Sequence, residues 1–234
     1  MEKNFKTRTS LIIGQEGLEK LKNSNVIVFG VGGVGSFAAE AIARAGVGKM
    51  TIVDFDDVDI TNINRQLPAL HSTIGRNKVD VMKERILDIN PDIDIKAIVA
   101  KYSAKNSNEL LCEDYDYVID AIDMVTSKIH LIESCVKKKL KIVSSMGMGN
   151  KLDPTKIVVT DIYKTQMCPL AKVMRKELRD RKIKKLKVVY STEQPVDLKE
   201  KIMNGKKVTP GSISFVPSVG GLTIASVVVN DLIK

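Results

Sequence analysis

Val26-Ile27-Val28-Phe29-Gly30-Val31-Gly32-Gly33-Val34-Gly35-Ser36 is the stretch on which the fold turns. Four apolar residues in a row, without alternation, fit a strand buried on both faces of a parallel sheet. The run stops at a glycine, and alanine-rich Ser36–Ala45 then reads as a helix closed by Gly46. Between strand and helix stand Gly30, Gly32 and Gly35 in G-x-G-x-x-G spacing. Such glycines let backbone N–H groups approach a phosphate, and the helix N-terminus adds positive potential. Alone the motif is weakly specific. Its place between a buried strand and a helix points to a nucleotide and not merely to a tight turn.

The same alternation continues on both sides. Leu18–Leu21 suits a short helix, and Met50-Thr51-Ile52-Val53 is a second buried strand ending at Asp54. Val79–Ile89 has helical apolar spacing and stops before Asn90-Pro91; Ile93–Val99 alternates as a strand. Tyr117-Val118-Ile119 ends at Asp120, Lys128–Lys138 is helical, and Lys141-Ile142-Val143 is another strand. Ile157–Asp161 and Leu186–Tyr190 can add strands, and Thr223–Leu232 reads as a closing helix. Strands alternating with helices imply an α/β, Rossmann-like, mostly parallel sheet with helices on both faces. The 234 residues suit one domain. Its core is expected at about 10–163 and 210–234, and the irregular, charged stretch at about 164–209 reads as a basic insertion.

The formal charge of +9 is unevenly spread. Residues 1–150 hold 20 basic and 20 acidic residues, whereas 151–234 hold 17 and 8. Lys172–Lys187 alone carries nine basic and two acidic residues, so an anionic partner is expected to meet this limb. With 44% hydrophobic residues, disorder is excluded as the state of the whole chain. Three cysteines, Cys112, Cys135 and Cys168, are never at CxxC spacing, which argues against a disulfide scaffold and a four-cysteine zinc site. Met1–Lys6 lacks a signal-peptide core, and the apolar stretch at Ile224–Val229 is short for a membrane span. A reduced, cytoplasmic protein with no transmembrane segment is expected.

Asp54, 24 residues after Gly30, is placed where a carboxylate accepts ribose hydroxyls. The polar residues beyond it separate one nucleotide from another. Asn62, Asn64 and Arg65 lie just beyond an acidic loop containing Asp56; Lys78 opens a helix; Asp123 sits just past a strand at the carboxyl edge. A dinucleotide needs neither a metal nor two extra cations, whereas a triphosphate with Mg²⁺ uses all three. The set favours ATP, although a lone lysine such as Lys78 also fits a solvated surface.

These motifs carry a resemblance. Gly30-Val31-Gly32-Gly33-Val34-Gly35, Asp54-Phe55-Asp56, Asn62-Ile63-Asn64-Arg65-Gln66, Gly75 with Lys78, and Asp120-Ala121-Ile122-Asp123 occur in the order found in the adenylate-forming superfamily of ubiquitin-activating enzymes and of the adenylyltransferases for thiamine and molybdopterin synthesis. The resemblance implies that the glycines (Gly30, Gly32, Gly33, Gly35), Asp54, Asp56, Asn62 and Asn64 bind ATP. It further implies that Arg65 and Lys78 contact phosphates and that Asp123 ligates Mg²⁺. Arg8 would reach into the ATP site of a second copy, making a homodimer with composite sites; without the resemblance Arg8 is a solvated terminal residue.

The C-terminal half resembles the tRNA threonylcarbamoyladenosine dehydratase branch. The similar segments are Gly147-Met148-Gly149, Asp153–Asp161, Lys164-Thr165, Pro169-Leu170-Ala171, Tyr190-Ser191-Thr192-Glu193 and Gly211–Pro217. That branch implies a tRNA carrying threonylcarbamoyladenosine as substrate, adenylated on its threonyl carboxylate and then cyclised. The alternative is an adenylyltransferase for a ubiquitin-like sulfur carrier, and a sulfur-transfer partner protein is a further expectation left open. Arg175, Lys176, Arg179 and Lys182 would face RNA phosphates, with Val173, Leu178 and Met174 forming the apolar side of their helix. The rival reading of that run is a solvated face. Cys168 suits either a relay nucleophile or a half-buried packing residue. Cys112 and Cys135 read as helical packing residues, His130 as structural, and His71 as a surface or capping group.

Overall fold

The computed structural model describes residues 4–204 and 207–234. The expectations on residues 1–3, and on 205 and 206 within the 164–209 stretch, lie outside the described residues. The first elements are α1 (Thr7–Lys22), β1 (Asn25–Phe29), α2 (Gly35–Ala45), β2 (Lys49–Asp54), α3 (Lys78–Ile89) and β3 (Asp94–Val99). Then come α4 (Ser107–Leu110), β4 (Tyr117–Asp120), α5 (Val125–Lys138), β5 (Ile142–Ser145) and β6 (Ile157–Asp161). The last are α6 (Pro169–Asp180), β7 (Lys187–Ser191), a two-residue pair β8 (Met203–Asn204) and β9 (Lys207–Val208), and α7 (Phe215–Leu232).

The main sheet has the order β3-β2-β1-β4-β5-β7-β6. All its pairings are parallel except β6 with β7. Continuous apolar strands are what this arrangement demands, because both faces are covered. Val26 and Val28 face one side, packed with α2, α3 and α7; Ile27 and Phe29 face the other, against α4 and α5. A third cluster joins α5 and α6 over Val188 and Tyr190 of β7.

Three expectations are corrected. β7 lies inside the sheet between β5 and β6, and Ala171, Met174 and Leu178 of α6 are fully buried over it. Residues 169–191 are therefore sheet and covering layer, not an insertion hung on it. The local charge density hid this, because only one narrow stripe of α6 is apolar. The N-terminal helix spans 16 residues, not four, because Gly14 at φ 72° joins two helical pieces across a kink. The closing helix begins at Phe215, eight residues before the expected Thr223, and runs for 18 residues at mean hydropathy 1.4. It is thus long and apolar enough to cross a membrane, against the shorter span read from sequence. Its Val216, Gly220, Gly221, Ile224 and Val228 are buried, and a Cβ on Gly221 would stand 2.2 Å from Val34 O of the glycine loop. The apolarity serves this contact with α2.

Candidate nucleotide site

Strand order reverses between β1, which leads outward to β2 and β3, and β4, which leads the other way. At such a point the loops leaving the carboxyl ends diverge and open a crevice. The glycine turn leaves β1 and Asp120–Asp123 leaves β4, so the reversal brings together motifs about ninety residues apart.

The glycines are sterically required. Gly30 has φ 86°, its N–H donates to Val53 O at 2.8 Å, and a Cβ there would lie 2.7 Å from Ala121 O. A Cβ on Gly35 would come within 1.8 Å of Gly30 O. The turn closes on itself, and no side chain caps the start of α2. Asp54 holds the turn from β2: its Oδ2 accepts Val31 N–H at 2.7 Å and its Oδ1 accepts Asp56 N–H at 2.9 Å.

Arg65 lies over the glycines, its Cγ 3.4 Å from where a Gly33 Cβ would be. Its guanidinium donates to Thr61 O and Asn64 Oδ1, both at 2.9 Å. Asn62 is buried and its Oδ1 accepts Asp59 N–H at 3.3 Å, while Asn64 Nδ2 donates to Ser212 O at 3.0 Å. Asn62 therefore shapes the loop, and Asn64 ties it to the segment before α7. Lys78, 4% exposed, is ion-paired with Asp56 Oδ2 at 2.9 Å and is not a solvated surface lysine. Gln66, quoted in the sequence motif without a role, has its Nε2 3.6 Å from where a Gly32 Cβ would be, and its buried Oε1 has no hydrogen-bond partner. A buried acceptor without a donor is costly, and a nucleoside hydroxyl or amino group supplies one. The orphaned acceptor, the Cβ-free cradle and the two cations fit ATP.

Asp123 is exposed at the crevice, in the loop that leaves β4. Desolvation raises its carboxyl above the ordinary range; Lys128 and Arg65 oppose that, and Asp120 and Asp54 reinforce it. Among the described residues no group of three or more His, Cys, Asp or Glu side chains forms a metal cage. One free carboxylate beside a phosphate cradle is nonetheless what Mg²⁺ uses when waters and phosphate oxygens complete its shell, so Asp123 fits that ion. Asp120 is not available to it: Oδ2 accepts Lys128 Nζ at 2.9 Å and Ser144 Oγ at 2.6 Å, and Oδ1 accepts Ile122 N–H at 3.2 Å. Lys128 and Ser144 were missed in the sequence; the only signal was an acid closing an apolar strand.

Residues 6–234 match the ThiF family. The chain belongs to the ThiF family. Over 239 aligned residues it is 50% identical to the tRNA threonylcarbamoyladenosine dehydratase of Bacillus subtilis, covering 97% of this chain and 94% of that protein. It superposes with TM-score 0.88 and 35% identity on the Escherichia coli tRNA N6-threonylcarbamoyladenosine dehydratase solved with ATP, covering 96% of this chain and 92% of that one. Similarity to the adenylyltransferase and sulfurtransferase MOCS3 of Culex quinquefasciatus, at 37%, is limited to 58% of this chain and 31% of that protein.

Other residues singled out in this ThiF-family chain have varied surroundings. Arg8 is exposed on α1, whose neighbouring Lys6 packs against Gly46 at the amino edge of the sheet, so its own chain does not bring it to the glycines. Arg175 is tied to Thr165, donating to its carbonyl at 2.9 Å and its hydroxyl at 2.5 Å, and Val173 is exposed, both contrary to expectation. Lys176, Arg179 and Lys182 are exposed, with Arg179 stacked 5.2 Å from the Tyr163 ring. Cys168 is 3% exposed and caps α6, accepting Ala171 N–H at 3.5 Å. Cys135 is buried, which pushes its thiol up to about 12, but Cys112 is exposed in the loop after α4, not packed on a helix. His130 Nδ1 lies 3.1 Å from Tyr102 Oη, a structural contact, and His71 is exposed.

Proposed function

We propose that this chain is an ATP-dependent dehydratase of tRNA. It adenylates the threonyl carboxylate of threonylcarbamoyladenosine and drives ring closure with release of AMP and pyrophosphate. A single observation carries the reading: the chain is half identical to a dehydratase over almost its whole length, and the glycine turn at its strand-order reversal supports it. A carboxylate oxygen attacks the α-phosphorus and pyrophosphate leaves. The carbamoyl nitrogen or oxygen of the same nucleoside then attacks the acyl carbon, AMP leaves, and the substrate has lost one water overall. Both attacking groups belong to the substrate, so the protein positions and neutralises charge.

The glycine turn and Asp54 hold the nucleoside side of ATP, and Arg65 and Lys78 face the phosphates. Mg²⁺ held by Asp123 would neutralise charge on the departing pyrophosphate. The basic surface of α6 contacts tRNA phosphates, and an enzyme acting there works in the cytoplasm. Two copies form a homodimer in which Arg8 completes the partner's site; Leu11 and Ile12, 78% and 87% exposed beside Arg8, support a covered α1 face. Ring closure uses the substrate's own atoms, so a sulfur-transfer partner is not needed by this chemistry. The sulfur-carrier alternative is not favoured, because paired CxxC motifs are lacking in the sequence.

The test is mass analysis of tRNA nucleosides after incubation with enzyme and ATP. Loss of one water from threonylcarbamoyladenosine, with AMP formed only on modified tRNA, is expected. Equal ATP turnover on unmodified transcript would sink the reading.

A further inference from the structure

Among the described residues, one ion pair is closed to solvent on both sides: Lys128 with Asp120, each fully buried. Such a pair adds little net stability, because desolvating two charges offsets most of their attraction. Its geometry gives it a different task. Asp120 is the last residue of β4, at the strand-order reversal, and its carboxylate is shared by three elements. Lys128 Nζ comes from the first turn of α5, Ser144 Oγ from β5, and Ile122 N–H from the loop that carries Asp123. Lys128 Nζ also lies 3.5 Å from the Asp120 carbonyl. Ala121, inside the same loop, presses its carbonyl so close to Gly30 that only glycine fits there.

We propose that Lys128 is a positioning residue. Through Asp120 it fixes the backbone of residues 121–123, and so sets both the place of the Asp123 carboxylate and the wall of the glycine turn. A charge locked on two sides by Ser144 and Ile122 cannot swing, and the loop it holds cannot drift from the phosphate cradle. The inference rests on the reading of Asp123 as the metal-bearing carboxylate.

Replacing Lys128 alone would strand a buried carboxylate, so the test uses the double variant Asp120→Asn/Lys128→Met, which removes both charges together. Mn²⁺ binding in the presence of α,β-methylene-ATP, followed by electron paramagnetic resonance, reports on the site without turnover. Urea unfolding verifies the fold. Binding of the analogue without metal reports on the glycine turn. A folded double variant with metal affinity about tenfold weaker is expected, the size typical of lost outer-shell support. Lys128→Arg, which keeps a buried cation, should retain most of the metal affinity, whereas in the double variant kcat should fall while KM for tRNA holds. Wild-type metal affinity in the folded double variant overturns the proposal. Asp123→Asn with unchanged Mn²⁺ affinity overturns the metal reading, and the inference with it. Should the double variant not fold, Ser144→Ala carries the test. It loosens Asp120 without stranding a charge, and metal binding at the wild-type level would again overturn the assignment.

Discussion

At the scale of single residues, Lys151 shows what burial does to a charge without a partner. Its side chain is 3% exposed and its Nζ meets no hydrogen-bond acceptor. Desolvation lowers its pKa below the usual lysine value; Cys168 and Glu193 pull it back up, and Lys156 pushes it down. A folded-state value below the unfolded 10.5 means the unfolded chain binds the proton more tightly. The cost to stability is therefore full at neutral pH and is relieved as pH rises through the folded value toward the unfolded one. Lys151→Met, close in shape and without the amine, should stabilise the protein by about 1–3 kcal/mol at pH 7. Urea unfolding at pH 7 and pH 10 checks this: the gain should shrink at the higher pH, and a destabilised variant would mean that the amine has a partner. Residues differ in how openly they declare their roles. Gly30 and Gly35 were legible, because a glycine between strand and helix states its own steric need. Lys128 was not, because a lysine in a helix looks alike whether it faces water or a carboxylate from another strand.

At the scale of elements, α6 carries two roles on two faces. Met174 and Leu178 are fully buried over β7, while Lys176 and Arg179 point outward, and Lys182 follows on the exposed turn. Replacing Lys176, Arg179 and Lys182 by alanine should weaken tRNA binding and flatten its dependence on salt. Each lost phosphate contact removes roughly 0.7–0.9 from the slope of log K against log salt. ATP affinity should hold, and stability should fall by no more than the exposed Arg179–Tyr163 contact contributes, about 0.5–1 kcal/mol. Met174→Ala should instead cost about 2–5 kcal/mol of stability through the cavity it leaves. Filter binding across a salt series, beside urea unfolding, separates the two; equal loss of tRNA and ATP binding in the triple variant would mean the charged face belongs to the fold. Arg175 is left out because it anchors Thr165. The helix was legible as a charged, one-sided stripe. Its packing partner was not, because β7 follows it in sequence but reaches the sheet only between β5 and β6.

At the scale of the whole molecule, the proposed composite site makes a quantitative prediction. Arg8→Ala leaves the crevice of its own chain intact, and Lys78→Ala leaves its own Arg8 intact. Mixed as unfolded chains and refolded together, the two inactive variants should regain about a quarter of wild-type activity, because half the dimers are mixed and each holds one intact site. No recovery would mean that Arg8 acts within its own chain or not at all. Local sequence determined the elements and the glycine turn, since apolar runs, helical spacing and glycine sterics act between near neighbours. It also marked Asp54, Arg65, Lys78 and Asp123 by their order along the chain. Only tertiary structure decided that β7 completes the sheet, that Arg175 is an anchor, and that Lys128 locks Asp120 beside Gly30. These depend on which surfaces meet across the strand-order reversal and across helix packing. That meeting is set by burial summed over the whole core, and no short stretch of residues records it.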